Sequence, residues 1–316
     1  MVTEFFYYLK TARPRQWVKN LTLYAALLFV GNLFGPQKLI SDFWTVTEAV
    51  LCFTLVASAI YFLNDLIDIK ADQVHPFKKR RPIAAGKISR GSAMAVFVVT
   101  SVVAMWWANK LSVLFFGVVA GYWLLQIAYS LWLKNIEVVD VFVIALGFFL
   151  RVVAGAIVIN AHLSIWFLLC VISVSLFLAV GKRRAELAIL TEQGIVAHRK
   201  VMGKYTMNIL DSYLSIFATS SFLSWALFTF NFYEQAGGVV SSAPTVLVLV
   251  SKTLTINKWL MATIPVVIFG IMRYIRVIYD GSKAESPERV ILSDLPLLTS
   301  VALWGLMVLV VLYGGI

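Results

Sequence analysis

Nine apolar runs, most of them close to 20 residues long, divide the chain and limit what it can fold into. An α-helix of about 20 residues crosses a hydrocarbon layer of about 30 Å. Only 14% of the residues are charged, where a soluble domain carries roughly 25%. We therefore predict an all-α, polytopic membrane protein with about nine transmembrane helices and a single domain, 1–316. The predicted spans are 21–35, 42–63, 91–108, 111–133, 138–159, 163–181, 209–230, 259–277 and 292–315.

Lys and Arg residues lie mostly on one side of this predicted topology. With the N-terminus on the cytoplasmic side, 22 of them face the cytoplasm and 4 face the other side, while Arg151 lies inside a span. Cytoplasmic loops carry an excess of Lys and Arg. The pattern predicts a protein of the inner or plasma membrane whose N-terminus and active-site loops, about 64–90 and 182–208, are cytoplasmic.

Three aspartates stand where the second apolar run ends, in NDLIDIKADQVHPFKKRRPIAAGKIS. Asp65, Asp68 and Asp72 are spaced i, i+3 and i+7, so on a helix they share one face with Asn64 beside them. Carboxylates are hard oxygen ligands that suit Mg²⁺, which often shares its coordination sphere with substrate phosphates. We predict a Mg²⁺ site at these four residues. The alternative is a helix end whose acids pair with the basic block that follows, although surface pairs are worth only about 0–1 kcal/mol.

Arg81 differs from the rest of that basic block, which could serve only as a topology signal or an anchor for anionic lipids. It stands in RRPIAAGKIS, the turn that leads back towards the bilayer. A cation there could reach a phosphate held by the metal.

The motif NDLIDIKAD and the segment HPFKKRRPIAAGKIS resemble the UbiA superfamily of intramembrane prenyltransferases. The segments YSLWLKNIEVVDVFVIALGFFLRVVAGA and FLAVGKRRAEL follow in the expected order. Within the superfamily, RPRQWVKN, GKRRAEL and MRYIRVIYDG are similar to members that transfer phosphoribose to a polyprenyl phosphate. The resemblance implies a UbiA-like helix bundle with a central cavity open to the cytoplasm. It also implies two substrates, phosphoribosyl pyrophosphate and polyprenyl phosphate.

The second half of the sequence departs from the D-x-x-x-D motif of aromatic-prenylating members. Ile144 stands four residues after Asp140, and GKRRAE contains no aspartate pair. We expect Lys182 and Arg183, with Glu186 one turn away, to bind phosphate directly in place of a second fully ligated metal.

Arg151 lies inside the fifth predicted span, where a charge costs at least about 2.5 kcal/mol. Either it snorkels to the interface, or it lines a polar cavity and meets a phosphate or Asp140. Tyr129 and Lys134 end the fourth span on the cytoplasmic side, and an interfacial aromatic is an equal interpretation of Tyr129. Lys19 and Asn20, at the start of the first span, resemble a polar patch for the lipid phosphate, and membrane anchoring is a close alternative for Arg13 and Arg15.

These features favour Mg²⁺-dependent transfer of phosphoribose to polyprenyl phosphate, with inversion at ribose C1. A phosphate monoester is already an anionic nucleophile, so no general base is needed. Two alternatives stay open: transfer of a prenyl chain from its diphosphate to an aromatic ring, and a transporter of lipids or solutes. We expect the bilayer and the two substrates as partners and no nucleic acid, with a homo-oligomer as an open alternative.

Overall fold

The computed structural model describes residues 2–30, 36–74, 78–192, 204–235, 256–280 and 287–313, and the regular elements in these ranges are helices. The chain divides into two compact units, Met1–His162 and Leu163–Ile316. The expectation of a single domain stays a prediction. The N-terminal unit holds α1 (Val2–Ala12), α2 (Tyr24–Val30), α3 (Pro36–Ile67), α4 (Ile69–Val74), α5 (Arg90–Leu111), α6 (Val113–Leu131) and α7 (Val139–Val158). The C-terminal unit holds α8 (Ile165–Glu192), α9 (Met207–Gln235), α10 (Ile264–Tyr279), α11 (Pro287–Ser293) and α12 (Leu295–Tyr313).

Within the described ranges, eight helical segments are long and apolar enough to cross a membrane. They correspond to the second to ninth predicted spans, so the all-α, membrane-spanning prediction is confirmed while the count of nine is not. The spans are Gln37–Ile67, Arg90–Leu111, Val113–Leu131, Val139–Val158, Ile165–Ile189, Met207–Phe232, Trp259–Tyr279 and Leu295–Tyr313.

The first predicted span, 21–35, has a different form from the others. A 3₁₀ helix, Pro14–Leu23, leads into the seven-residue helix α2, and 31–35 lie outside the described residues. The polar residues of the 3₁₀ helix, Arg15, Gln16, Lys19 and Asn20, precede the predicted span, and its described part, 21–30, is too short to cross a bilayer by itself.

Polar contacts hold this first segment, residues 13–30, alongside α3. Trp17 Nε1 donates to Ser58 Oγ at 3.1 Å, Asn20 Nδ2 to Thr54 Oγ1 at 3.0 Å, and Tyr24 Oη lies 2.6 Å from Thr47 Oγ1. As the residue number rises in the segment, the partner's number falls in α3. The segment therefore runs antiparallel to α3 over several helical turns.

Helix α7 approaches the same segment closely at Gly155. A Cβ atom at that position would lie 2.0 Å from the carbonyl oxygen of Leu23, well inside van der Waals contact. Only glycine permits this backbone approach.

In the C-terminal unit, one arginine joins three helices. Arg184 of α8 donates from Nε to Asp211 Oδ1 of α9 at 2.8 Å, and its guanidinium lies 3.5 Å from the ring centroid of Tyr279 in α10. Helix α8 continues to Glu192, beyond the predicted span end at 181, because GKRRAELAIL consists mostly of good helix formers. The predicted 182–208 loop therefore begins as helix, and 193–203 lie outside the described residues.

Candidate active site

The end of α3 carries two buried carboxylates joined by arginines from distant parts of the sequence. Asp65 is 2% exposed, and its Oδ1 accepts hydrogen bonds from Arg13 Nη2 at 2.5 Å and from Arg81 Nη1 at 3.1 Å. The same Arg81 nitrogen donates to Oδ2 of Asp72, which is 3% exposed, at 2.7 Å. Asp65 and Asp72 thus share a face, as predicted, and converge on one cationic nitrogen.

Asp68 has a different partner. It occupies the turn between α3 and α4, although hydrogen bonds from Asp68 N to Asn64 O and from Asp72 N to Asp68 O keep the backbone nearly helical. Lys134, in the short 3₁₀ helix Leu133–Asn135, donates from Nζ to Asp68 Oδ1 at 2.7 Å. The α6–α7 connection therefore joins the aspartate motif through Lys134.

The turn that carries Arg81 is fixed by hydrogen bonds and packing. Arg81 N donates to Lys78 O, and Lys87 N donates to Pro82 O. Ile83 and Ile88 belong to a buried apolar cluster with Phe62 of α3 and Ile69 of α4. This packing holds Arg81 beside the aspartates.

Arg13 reaches Asp65 from the junction between α1 and the 3₁₀ helix. Its backbone is left-handed, with φ 55° and ψ 65°, a conformation that costs a non-glycine residue about 1–2 kcal/mol. The ion pair with Asp65 and a contact of its guanidinium 4.7 Å from the Tyr61 ring centroid offset this strain.

A cavity of about 170 Å³ lies at this ion-pair cluster. Its lining contains four cationic side chains, one carboxylate and one proline: Lys10, Arg13, Arg80, Arg81, Asp65 and Pro82. Positively charged side chains therefore predominate in the lining, with Arg13 and Arg81 paired to carboxylates and Lys10 and Arg80 exposed.

Among the described residues, no three histidine, cysteine or carboxylate side chains lie close enough together to hold a metal ion as they stand. Asp65 and Asp72 do share one positive nitrogen of Arg81, and carboxylate oxygens are the ligands that Mg²⁺ prefers. Binding of Mg²⁺ at the motif stays a prediction. The alternative that the sequence left open, pairing of the acids with the basic block, is seen at Arg81, whose side chain is 24% exposed while the two carboxylates are buried.

The sequence model of the UbiA prenyltransferase family matches residues 23–314. The chain belongs to this family.

Two relatives with known names and one solved structure cover most of this family member. Decaprenyl-phosphate phosphoribosyltransferase of Mycolicibacterium smegmatis is 34% identical over 291 residues, covering 90% of this chain and 86% of that protein. The protein of the same name from Corynebacterium glutamicum is 32% identical over 308 residues, covering 96% of this chain and 86% of its own length. A UbiA homologue from Archaeoglobus fulgidus bound to GPP and Mg²⁺ superposes with a TM-score of 0.66 at 19% identity, covering 97% and 99% of the two chains. The last comparison shows the shared fold.

Arg151 of this UbiA family member is 7% exposed and does not snorkel. It donates from Nε to Asn20 Oδ1 at 2.8 Å, from Nη1 to Gly147 O at 2.7 Å and from Nη2 to Tyr122 Oη at 2.7 Å. The predicted contact with Asp140 is not formed, because eleven residues of one helix separate the two by roughly 16 Å at about 1.5 Å per residue. Arg151 instead links α7 to α6 and to the first segment.

The second predicted group of cations lies in the C-terminal unit. Arg183 is fully buried and donates from Nη1 to Glu186 Oε2 at 2.5 Å, while Lys182 Nζ lies 4.0 Å from Glu186 Oε1. The structure thus brings Lys182, Arg183 and Glu186 together as an ion-pair group. Their binding of phosphate stays a prediction.

The remaining predicted residues lie in the N-terminal unit. Asp140 is fully buried in the first turn of α7, two residues after Val138, whose φ is 67°. Lys19, Asn64 and Tyr129 are half-buried.

Sequence reasoning missed part of the site. The sequence does not decide between anchoring and phosphate binding for Arg13, and its pattern does not single out Lys10 and Arg80. Sequence reasoning also missed Asn20 and Tyr122 as partners of Arg151. A buried arginine inside a span needs hydrogen-bond acceptors, and this need is the sequence signal that points to polar residues of other segments as its partners.

Proposed function

We propose that the chain transfers the 5-phosphoribosyl group from phosphoribosyl pyrophosphate to a polyprenyl phosphate and releases pyrophosphate. Family membership supports a membrane-bound transferase, and the relatives named above support this choice of substrates. The observation that carries the proposal is the excess of cations around the aspartate motif. Arg13, Arg81 and Lys134 each bond a motif carboxylate, and two further cations line the adjacent cavity.

The charge of the substrates explains why this excess matters. Phosphoribosyl pyrophosphate brings a diphosphate and a 5-phosphate, and the lipid brings a third phosphate group. An aromatic prenyltransferase handles one diphosphate and an acceptor of little or no charge. The cation-rich surroundings of the motif suit the larger anionic load.

The chain's own residues would bind and orient the diphosphate. Asp65, Asp68 and Asp72, with Asn64 beside them, would hold Mg²⁺, which supplies Lewis-acid compensation of the charge on the leaving pyrophosphate. Arg81 and Lys134, already at the motif, would exchange a carboxylate for a phosphate oxygen as substrate enters.

Bond making and breaking at ribose C1 then require little acid–base chemistry. An oxygen of the lipid phosphate attacks C1 as the C1–pyrophosphate bond breaks, and attack from the opposite face inverts the centre. Preorganised cations favour the developing negative charge on the leaving group. We extend the proposal to Asp140 and Arg151 in the catalytic region, and to Lys19, Tyr129, Lys182, Arg183 and Glu186 in binding substrate.

The active site would face the cytoplasm of the inner or plasma membrane. The 22-to-4 distribution of Lys and Arg supports this orientation. Phosphoribosyl pyrophosphate would then enter from the cytosol, and the lipid tail from the bilayer.

A turnover assay tests the proposal directly. Purified protein in detergent receives Mg²⁺, radiolabelled phosphoribosyl pyrophosphate and a polyprenyl phosphate, and label is measured in the organic phase. We expect label in the lipid, its loss with EDTA, and its loss in Asp68→Asn with the protein still folded. Full activity of Asp68→Asn would remove the metal assignment.

A second candidate, prenyl transfer from a diphosphate to an aromatic acceptor, is favoured by one observation. The Archaeoglobus fulgidus neighbour with the same fold is described as bound to GPP and Mg²⁺. Incubation with a prenyl diphosphate and an aromatic acid decides between the two: prenylated acid without labelled lipid would favour this candidate. No product in either assay would favour a transporter.

A further inference from the structure

One face of helix α1 is apolar and is left exposed by the described part of the chain. Phe5, Phe6 and Leu9 on this face are 69%, 58% and 39% exposed. Their spacing of i, i+1 and i+4 places them on the same side of the helix. A contiguous apolar face of this kind on a helix of 11 residues marks an interaction surface rather than one that faces water.

The other side of α1 packs against the protein. Tyr7, Tyr8 and Ala12 pack against the buried apolar cluster that contains Phe62 of α3. The rings of Tyr8 and Phe62 stack with their centroids 6.3 Å apart. These contacts fix the rotation of α1 about its own axis, so its apolar face points away from the cluster.

The buried cluster that α1 covers lies at the edge of the membrane-spanning region. Phe62 stands near the end of the span Gln37–Ile67, and Ala93 stands near the start of the span Arg90–Leu111. Helix α1 therefore lies where these two spans reach the membrane surface, on the side of the aspartate motif. At that depth, an apolar helix face enters the boundary between lipid headgroups and acyl chains.

Exposed basic residues stand close to α1 in the chain and in the fold. Arg15 follows the helix and is exposed. Lys87 and Arg90, also exposed, stand on either side of Ile88, another member of the buried cluster. Each basic side chain beside a membrane surface strengthens binding to anionic lipid by about fivefold. The surroundings of α1 therefore complement an anionic lipid surface in charge as well as in polarity.

We propose that α1 is an interfacial helix that docks on an anionic lipid surface. Phe5, Phe6 and Leu9 enter the boundary between headgroups and acyl chains, while Arg15 and Lys87 contact the headgroups. The helix is then held between one leaflet and the ends of α3 and α5. This contact is separate from the substrate site, because none of these side chains lines the cavity at the aspartate motif.

Spin labels at two positions of α1 test the proposal. A nitroxide is attached to Phe6→Cys on the apolar face and, as the matched control, to Glu4→Cys, which is also exposed but points to nearly the opposite side of the helix. The wild-type chain treated with the same reagent gives the background from the buried Cys52 and Cys170. The full-length protein is placed in phosphatidylcholine nanodiscs with and without phosphatidylglycerol. Collision rates are measured with oxygen, which concentrates among acyl chains, and with a water-soluble nickel chelate.

With phosphatidylglycerol present, the ratio of oxygen to nickel collisions should be several-fold higher at Phe6→Cys than at Glu4→Cys. The ratio at Phe6→Cys should fall in phosphatidylcholine alone. Adding Arg15→Ala should lower the docked-to-undocked population of the Phe6→Cys label about fivefold in the anionic discs. Should Phe6→Cys not fold, Leu9→Cys carries the label on the same face.

Equal collision ratios at the two positions would overturn the docking of α1. Low collision rates with both reagents, together with spin–spin broadening at Phe6→Cys, would also overturn it, because a second copy of the chain would then cover the face. A ratio that is the same in both lipid compositions would overturn the role given to the basic residues and the anionic headgroups.

Discussion

Replacing Arg151 with methionine should destabilise the N-terminal unit by roughly 2–5 kcal/mol. The substitution keeps an unbranched side chain of similar length but removes hydrogen bonds to Asn20, Gly147 O and Tyr122. Side-chain hydrogen bonds inside membrane proteins average about 0.6 kcal/mol each and reach about 1.7. Three of them give about 2 kcal/mol at the average value and about 5 kcal/mol at the largest, and the lost stacking of the guanidinium on the Tyr122 ring, 4.7 Å from its centroid, places the expected loss above the lower end.

Unfolding by SDS titration in mixed micelles measures this loss. A double-mutant cycle with Asn20→Ala isolates the Arg151–Asn20 pair, for which we expect a coupling of about 1 kcal/mol. Arg151→Lys is the control that keeps the charge but not the planar fork, and it should lose nearly as much stability.

One result would refute this reasoning. If Arg151→Met unfolds at the wild-type SDS fraction while its KM for either substrate rises at least tenfold, Arg151 contacts substrate rather than anchoring the first segment. That outcome would leave the phosphate contact, one of the alternatives drawn from the sequence, as the sole role of Arg151.

Three further perturbations have defined outcomes. EDTA should stop turnover but leave the unfolding midpoint unchanged, because cationic side chains already pair with the motif carboxylates; a large drop in the midpoint would contradict this. Gly155→Ala should cost about 3 kcal/mol or more, since its Cβ would lie 2.0 Å from Leu23 O, whereas Gly117→Ala, with open space around it, should not destabilise. The hydrogen bond from Arg273 lowers the pKa of Asp294. The ion pair therefore stabilises the fold fully above about pH 4, and this contribution is lost as pH falls through the lowered pKa. Asp294→Asn should remove that part of the acid sensitivity when thermal unfolding is measured over a series of pH values.

Hydropathy predicts most of the fold because eight spans are long and apolar over their whole length. Hydropathy does not predict the position of the first segment, because polar contacts with α3 hold it in place. The partners in these contacts are between 23 and 52 residues apart in sequence. The spacing of the aspartates predicts the shared face of Asp65 and Asp72. It does not predict that Asp68 turns to Lys134, because that contact depends on where the α6–α7 connection folds back.

The same limit applies to Arg151. Its sequence position shows that a buried charge needs acceptors, but Asn20, its partner, is 131 residues away. Local pattern alone cannot select among the polar residues of the other spans.

The polar contacts between the first segment and α3 also bear on how the protein is made. A segment with the sequence PRQWVKN inserts poorly into a bilayer by itself, because its charged and amide side chains would enter hydrocarbon without partners. Thr54, Ser58 and Asp65, its partners, are synthesised later. We therefore expect the nascent first segment to remain at the cytoplasmic surface until α3 has been synthesised and then to enter the membrane with α3 as a hairpin. The second apolar run would then set the topology of the whole chain.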